Sequence, residues 1–485
     1  MAVFRLKHPA LPPINSPVAT ECLDRLELGF YVDNDGVVAP LTDGLLVLRH
    51  FFGFTGTALT EGALGADATN TTAEMIQAHI NDRPDRFDLD GDGLHQPLTD
   101  GLLLLRLLFG FTGEALTQGA LGDKANRRTS NHILGHIESE LNISLERLEK
   151  YADQARPSYI TKDNTDANNP ITDAGATLGR VLFYDPSLSR TDSVSCSACH
   201  QQANAFSDQN IASIGINGTT SRHSMRLINS RFSDERRFFW DERATSLEAQ
   251  TTQPIQDHIE MGFSGADGDP SLADLIDKLT AIDRYPALFT RAFGDSAITE
   301  ARLQSALAQF IRSIESFDAP YDVGRANHRD NQDFDNFTVA ENRGKRLFMA
   351  PPNDGGAGCA GCHRPPEFDI DPDTRNNGVI NAIDGGTDLT NTRSPSLRDL
   401  VNPAGVLNGG LMHNGAFESL EAVIEHYNRI PEDNARLDQR LRRPGGGLQR
   451  LNFSETQKAD LVEFLKTLTG SAVYTDPRWS NPFAL

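Results

Sequence analysis

Two stretches of this sequence set reactive residue types at a fixed spacing: Cys196-Ser197-Ala198-Cys199-His200 and Cys359-Ala360-Gly361-Cys362-His363. In Cys-x-x-Cys-His the two thiols form thioethers with the vinyl groups of a haem, and the adjacent imidazole gives its iron an axial ligand. The chain has five cysteines, and these motifs use four, leaving only Cys22. That pattern is no disulfide framework. The reading as zinc sites or redox dithiols loses to the His that directly follows both pairs. Two covalent c-type haems are expected. Cys22 is then a free thiol, an intermolecular partner or a lipid site, the last weakly supported because nothing apolar precedes it.

The rest of the composition narrows the setting. A chain of 485 residues, 38% hydrophobic, buries large cores and suggests two to four domains. No apolar run is long enough to span a bilayer. A net charge of −22 argues against binding nucleic acid; it favours a basic protein partner or is simply a solvated acidic surface. Haem attachment of this kind takes place outside the cytoplasm, so a periplasmic or extracellular protein is expected. Residues 1–20 have no apolar core of a signal peptide and carry Pro9, Pro12 and Pro13, so the export signal is expected to have been removed.

An internal repeat fills the N-terminal part. Thr42-Asp43-Gly44-Leu45-Leu46-Val47-Leu48-Arg49 returns as Thr99-Asp100-Gly101-Leu102-Leu103-Leu104-Leu105-Arg106, and Phe52-Gly53-Phe54-Thr55-Gly56 as Phe109-Gly110-Phe111-Thr112-Gly113. An acidic loop precedes each copy. In the second, Asp88, Asp90, Asp92 and Asp100 alternate so as to converge on one hard cation, with Gly91 and Gly93 allowing the turn. This resembles the calcium loops of EF-hands and dockerin modules, although the last acid stands at the thirteenth position rather than the twelfth. The first loop offers Asp33, Asp35 and Asp43, with Tyr31 where the leading acid belongs. Calcium is expected in the second loop and weaker binding in the first. The alternative is an acidic turn between helices. Residues 16–128 are read as a small helical EF-hand/dockerin-like module, and 129–172 as a connecting helix (132–150) and a polar linker.

A fainter duplication places the haem motifs. Gly179-Arg180-Val181-Leu182-Phe183 precedes the first and Gly344-Lys345-Arg346-Leu347-Phe348 the second, each on the spacing of a helix packed against a haem edge. Residues 271–318 show helical periodicity through Leu272, Leu275, Ile276 and Leu279, and Ser454-Glu455-Thr456-Gln457 reads as a capping box. The fold class is mainly α: two tandem cytochrome c-like haem domains, 173–335 and 336–485, preceded by the repeat module.

From about Ala174 to Gly470 the chain resembles the bacterial dihaem cytochrome c peroxidases and the MauG proteins. The resemblance rests on Leu182-Phe183-Tyr184-Asp185, Phe239-Trp240-Asp241-Glu242-Arg243-Ala244, Leu247-Glu248-Ala249-Gln250, Pro254-Ile255 and Met412-His413-Asn414-Gly415. The family usually has Gly where Glu242 stands. It implies that hydrogen peroxide reacts at the N-terminal haem, on His200, while the C-terminal haem relays electrons. Aligned on Trp240, the family's distal Gln falls at Gln250 and its distal Glu at Glu260, the acid–base candidate. Trp240 is the residue expected to pass oxidising equivalents between the haems. Where some members block the first haem with a distal His, this chain has Ile216; a five-coordinate resting iron is expected, with His223 the residue most able to upset that. The family also holds an inter-haem calcium through an Asn, here His223; Asn408 and Gly410 offer carbonyls, and this site stays open.

The sixth ligand of the second haem, opposite His363, falls at Tyr427 by the same resemblance. Leu420, Val423, Ile424 and Tyr427 share one helix face, whereas His426 lies roughly 100° around the helix. Met412 and His426 are the rivals. A phenolate is a hard anion that stabilises ferric and higher iron states. The expected function is therefore a dihaem peroxidase of the MauG-like branch, drawing electrons from a small electron-transfer protein or from an oxidisable residue of a protein substrate. The competing readings are a non-catalytic dihaem electron carrier and a calcium-dependent docking protein.

Overall fold

Two glycines govern how the haem-bearing part folds. Helix α3 (Asp173–Tyr184) and helix α6 (Glu300–Ser313) cross so closely that a Cβ on Gly179 would stand 2.0 Å from the Ala306 carbonyl oxygen. Helix α7 (Val339–Met349) and helix α9 (Glu455–Lys466) repeat the crossing, with Gly344 against the Asp460 carbonyl at 1.9 Å. Only glycine fits at either crossing. Four residues further along each helix, Phe183 and Phe348 line the two cavities described below. The helix starts are fixed by side-chain caps. Thr172 accepts from the Gly175 N–H, and capping boxes at Thr338 and Ser454 close α7 and α9. Helices α4 (Leu247–Thr251), α5 (Leu272–Thr280) and α8 (Leu420–Asn428) complete the frame.

This computed structural model describes residues 30, 32–35, 39–65, 68–82, 84–111, 113–130, 132–133, 136–137, 149–234, 236–266, 268–282, 284–370 and 372–483. Cys22, Tyr31, Gly36 and most of the connecting helix expected over 132–150 lie outside them. The chain divides into two units: Met1–Arg147 with two short segments, and Leu148–Ala281 with Tyr285–Asn481. Among the described residues no helix is long and apolar enough to cross a membrane.

The first unit is built as its repeat suggests. Helices α1 (Leu45–Phe51) and α2 (Leu102–Leu108) pack reciprocally: Gly44 faces Leu105 and Leu108, and Gly101 faces Leu48. Arg49 donates to the Leu59 and Glu61 carbonyls, as Arg106 does to those of Leu116 and Gln118. Asp43 accepts from the Val32 N–H at 2.6 Å, and Asp100 from the Leu89 N–H at 2.7 Å.

Two features of the second unit bear on the expected boundaries. The two haem domains, drawn at 173–335 and 336–485, form one unit, joined by side chains such as Arg222, which pairs with Asp241 on its own half and with Asp388 on the other, each at 2.7 Å. The segment expected as a linker is irregular but packed into the same unit. Asn164 is buried, donating to the Ser230 carbonyl and accepting from Arg312, and buried Asn169 donates to Glu248. These asparagines satisfy buried polar groups.

Candidate functional site

Cys196, Cys199 and His200 line a cavity with about 660 Å³ of atom-free space, closed on other sides by Phe183, Gln250 and Glu260. His200 Nδ1 lies 3.1 Å from the Phe206 carbonyl oxygen. A carbonyl only accepts, so Nδ1 carries the proton and Nε2 keeps its lone pair for a metal. Burial pushes the His200 imidazolium down, which keeps the ring neutral. Thiols beside a neutral imidazole with a fixed tautomer, in a cavity this size, fit a covalent haem.

The opposite wall comes from loops. A hairpin of β1 (Ile214–Gly215) and β2 (Gly218–Thr219) lays its turn on the backbone of 258–260. The Ile216 N–H donates to the Glu260 carbonyl at 3.1 Å, and Asn217 binds the His258 and Ile259 carbonyls. A Cβ on Gly215 would stand 2.1 Å from the Ile259 carbonyl oxygen, so the approach requires glycine. Asp257 caps the turn by accepting from the Ile259 and Glu260 N–H groups. The Glu260 carboxyl is thereby presented to the cavity, and burial, aided by the Asp257 charge, pushes its pKa up to about 7 against the pull of Arg243. Gln250 sits on α4, capped by Ser246 and anchored where Glu248 meets Arg312 at 2.5 and 3.1 Å. Ile216 is not among the cavity residues; its side chain packs against Gly262.

Trp240 is buried at the tip of a tight loop closed by the Phe238–Ala244 backbone pair. Phe239 at φ +71° and Glu242 at φ +58° occupy the left-handed region, which explains why glycine suits position 242 and places about 1 kcal/mol or more of strain at each residue. The indole N–H donates to the His223 carbonyl at 2.8 Å, and the Trp240 carbonyl accepts from Thr392 and Arg393. Trp240 lines both the cavity holding His363 and a second opening beside His200. The His413 ring lies 6.3 Å from it. Asn391 Nδ2 donates to His413 Nδ1 at 2.7 Å and to the Val379 carbonyl, so His413 carries its proton on Nε2; burial pulls its pKa down to about 4. His223 lies on the same seam, with Nδ1 held by the Asn210 and Ile211 carbonyls.

The second cavity, with about 1190 Å³ of space open in part to solvent, is lined by Cys359, His363, Leu420, Val423, Ile424 and Tyr427. The helix face read from periodicity is the one α8 turns to it. Burial pulls the His363 pKa down to about 4 and pushes the Tyr427 phenol up. His426 Nε2 bonds the Asn377 carbonyl at 2.8 Å, which commits it elsewhere. Met412 lines the cavity too, its sulfur accepting from Asn377 Nδ2 at 3.3 Å. Asn377, Asn391 and the Arg222–Asp388 pair carried no sequence signal, because their partners are distant in the chain.

In the repeat module, carboxylate oxygens of Asp88, Asp90 and Asp100 lie within 4.8 Å of one another. Asp92, expected in this set, is outside it; its Oδ1 accepts from the Leu94 N–H at 2.8 Å. Among the described residues, Asp33, Asp35 and Asp43 form no such group.

A sequence profile described as Di-haem cytochrome c peroxidase matches residues 173–330. The methylamine utilization protein MauG of Methylophilus methylotrophus is 31% identical over 315 residues, spanning 63% of this chain and 85% of that protein. Its namesake from Methylorubrum extorquens is 33% identical over 312 residues, spanning 62% and 79%. Among solved structures, a MauG-like protein associated with microbial copper homeostasis superposes with a TM-score of 0.54 at 29% identity, covering 68% of this chain and 99% of that one.

Proposed function

The chain belongs to the di-haem cytochrome c peroxidase family that includes the MauG proteins, and from that premise we propose an oxidoreductase that reduces hydrogen peroxide at the His200 site and oxidises a protein partner. The observation that carries this reading is the convergence of His200, Gln250 and Glu260 on one cavity, with the Glu260 carboxyl at about 7. A carboxyl poised there exchanges a proton readily at neutral pH.

When bound, the two haems supply redox-active iron, held by Cys196, Cys199 and His200 and by Cys359, Cys362 and His363. Tyr427 is the proposed sixth ligand at the second. Peroxide takes two electrons and two protons to give two water molecules. The Glu260 carboxylate accepts a proton from one peroxide oxygen and returns it to the departing one, while the Gln250 amide orients the substrate. Phe183 and Leu307 exclude bulk water from the same cavity. Trp240, an indole oxidisable at accessible potentials and bordering both haem cavities, is the proposed conduit between them.

The electrons are proposed to come from an oxidisable residue of a protein substrate, outside the cytoplasm. A phenolate ligand favours holding oxidising equivalents over accepting electrons from a soluble carrier. The net charge of −22 favours a basic partner surface. Peroxide consumption by the resting holoprotein, without prior reduction, tests the reading. Turnover is expected at once; activity only after reduction would count against an open first haem.

The second acidic loop is proposed to take one calcium ion on Asp88, Asp90 and Asp100. Burial and the neighbouring acids raise the Asp90 and Asp100 pKa values, an electrostatic cost that a cation relieves. Calcium at a hundredfold its Kd is expected to stabilise the module by about 2.7 kcal/mol. Calorimetric titration of the full chain checks this: one ion in the wild type and none in Asp90→Ala. No binding in the wild type rules the site out.

A further inference from the structure

Arg226 is the charged residue whose surroundings the proposed chemistry does not use. Its guanidinium lines both the cavity that holds His363 and the opening beside His200, on the seam between them. Among the described residues its one hydrogen bond runs from Nη2 to the Ser396 carbonyl at 3.4 Å, and buried Nε meets no partner. Among the described residues it forms no ion pair. The acid that acts on it most strongly, Asp399, forms no ion pair with it; Asp399 Oδ1 accepts from the Gly470 N–H and the Tyr474 hydroxyl, and its Oδ2 is buried. Burial pulls the Arg226 pKa down to about 10.

Ser224 and Leu227, which flank this position, recur as Ser394 and Leu397 after the second haem motif. His223-Ser224-Met225-Arg226-Leu227 after the first haem motif corresponds to Arg393-Ser394-Pro395-Ser396-Leu397 after the second. The Arg226–Ser396 contact therefore joins equivalent positions of the two halves, and the second half has a neutral serine where the first has a cation. A half-buried guanidinium with its Nε buried and no ion pair is costly, whereas a carboxylate facing its planar fork turns that cost into a strong charge-assisted pair. Each c-type haem carries two propionate carboxylates, which need a counter-ion wherever they leave solvent.

We propose that Arg226 binds a haem propionate at the seam between the two haem cavities and acts as an internal counter-ion there. This rests on the dihaem reading. A fixed cation beside a haem stabilises the reduced iron, whose positive charge is smaller by one, so Arg226 raises the reduction potential of the haem it serves. Carboxylate chemistry is also available from small anions in solution, and the test separates the two sources.

The experiment is potentiometric titration of holoprotein for the wild type, Arg226→Ser and Arg226→Lys, with haem content measured by pyridine haemochrome. Resonance Raman of the propionate bending band accompanies it. In Arg226→Ser one haem is expected to become at least tenfold harder to reduce, a fall of 59 mV for a one-electron couple, with a shifted propionate band. Arg226→Lys, which keeps the charge, recovers most of the potential. If Arg226→Ser does not fold, Arg226→Gln is measured instead, with the same expected outcome. Unchanged potentials and band in a charge-removing variant that keeps both haems overturn the proposal. So does a wild-type potential that follows added acetate, which would assign the site to solvent anions. A wild type lacking two haems would instead overturn the dihaem reading beneath it.

Discussion

Replacing Glu260 with Gln is expected to slow the reaction of the resting protein with hydrogen peroxide by about 10²–10⁴-fold, the usual contribution of a positioned acid–base group. Gln keeps the size and hydrogen-bonding reach of the side chain but accepts no proton, so the variant separates proton transfer from packing. The pH profile supplies an independent check. Burial first, and Asp257 second, hold the carboxyl at about 7, while Arg243 pulls it down. The carboxylate is the active form, so the wild-type rate rises as pH increases through about 7. Asp257→Asn removes a repelling charge while keeping an acceptor for the loop N–H groups, and moves the midpoint down. Arg243→Gln moves it up. Stability has the opposite sign: a carboxyl raised on folding helps the fold below its ordinary range, and that help is lost as pH rises through about 7. Stopped-flow rates across pH measure all of this, and a Glu260→Gln rate equal to the wild type would remove Glu260 from the acid–base role.

Replacing Tyr427 with Met is expected to raise the reduction potential of the second haem by on the order of 0.1 V or more, within the roughly 0.8 V range that axial ligands command. A thioether is soft and neutral and favours ferrous iron, whereas a phenolate favours ferric and higher states. The same variant is expected to shorten the lifetime of the oxidised product formed with peroxide. Met412 makes this a real contest, because it lines the same cavity with its sulfur turned to Asn377. Met412→Leu is therefore expected to leave the potential nearly unchanged. If Met412→Leu shifts the potential and Tyr427→Met does not, the ligand is Met412.

These two residues show what the chain reveals by itself. The haem motifs are legible because attachment chemistry needs Cys, Cys and His within five consecutive positions. The direction of Tyr427 is legible because a helix fixes its angle relative to Leu420, Val423 and Ile424. Glu260 and Gln250 are different: as residue types they are ordinary polar side chains, and only family resemblance singled them out. Their cavity is assembled when the β1–β2 turn settles on 258–260, a contact between segments more than forty positions apart. Arg226, Asn377 and Asn391 left no signal for the same reason. Gly179 and Gly344 were visible as a repeated pattern, but their role required the partner helices at Ala306 and Asp460. Asp92 fits the alternating acidic pattern and its Oδ2 lies beside that of Asp90 near Gly122, while its Oδ1 is taken by the Leu94 N–H two residues on.

The two haem sites are proposed to be unequal, the first open to peroxide and the second closed by a protein ligand. The most direct measurement is the optical and electron paramagnetic resonance spectrum of the resting ferric protein, before and after one equivalent of hydrogen peroxide. One high-spin and one low-spin haem are expected at rest, with a rapid peroxide-dependent change without added reductant that involves both. Two low-spin haems that ignore peroxide would contradict it and would leave the protein an electron carrier.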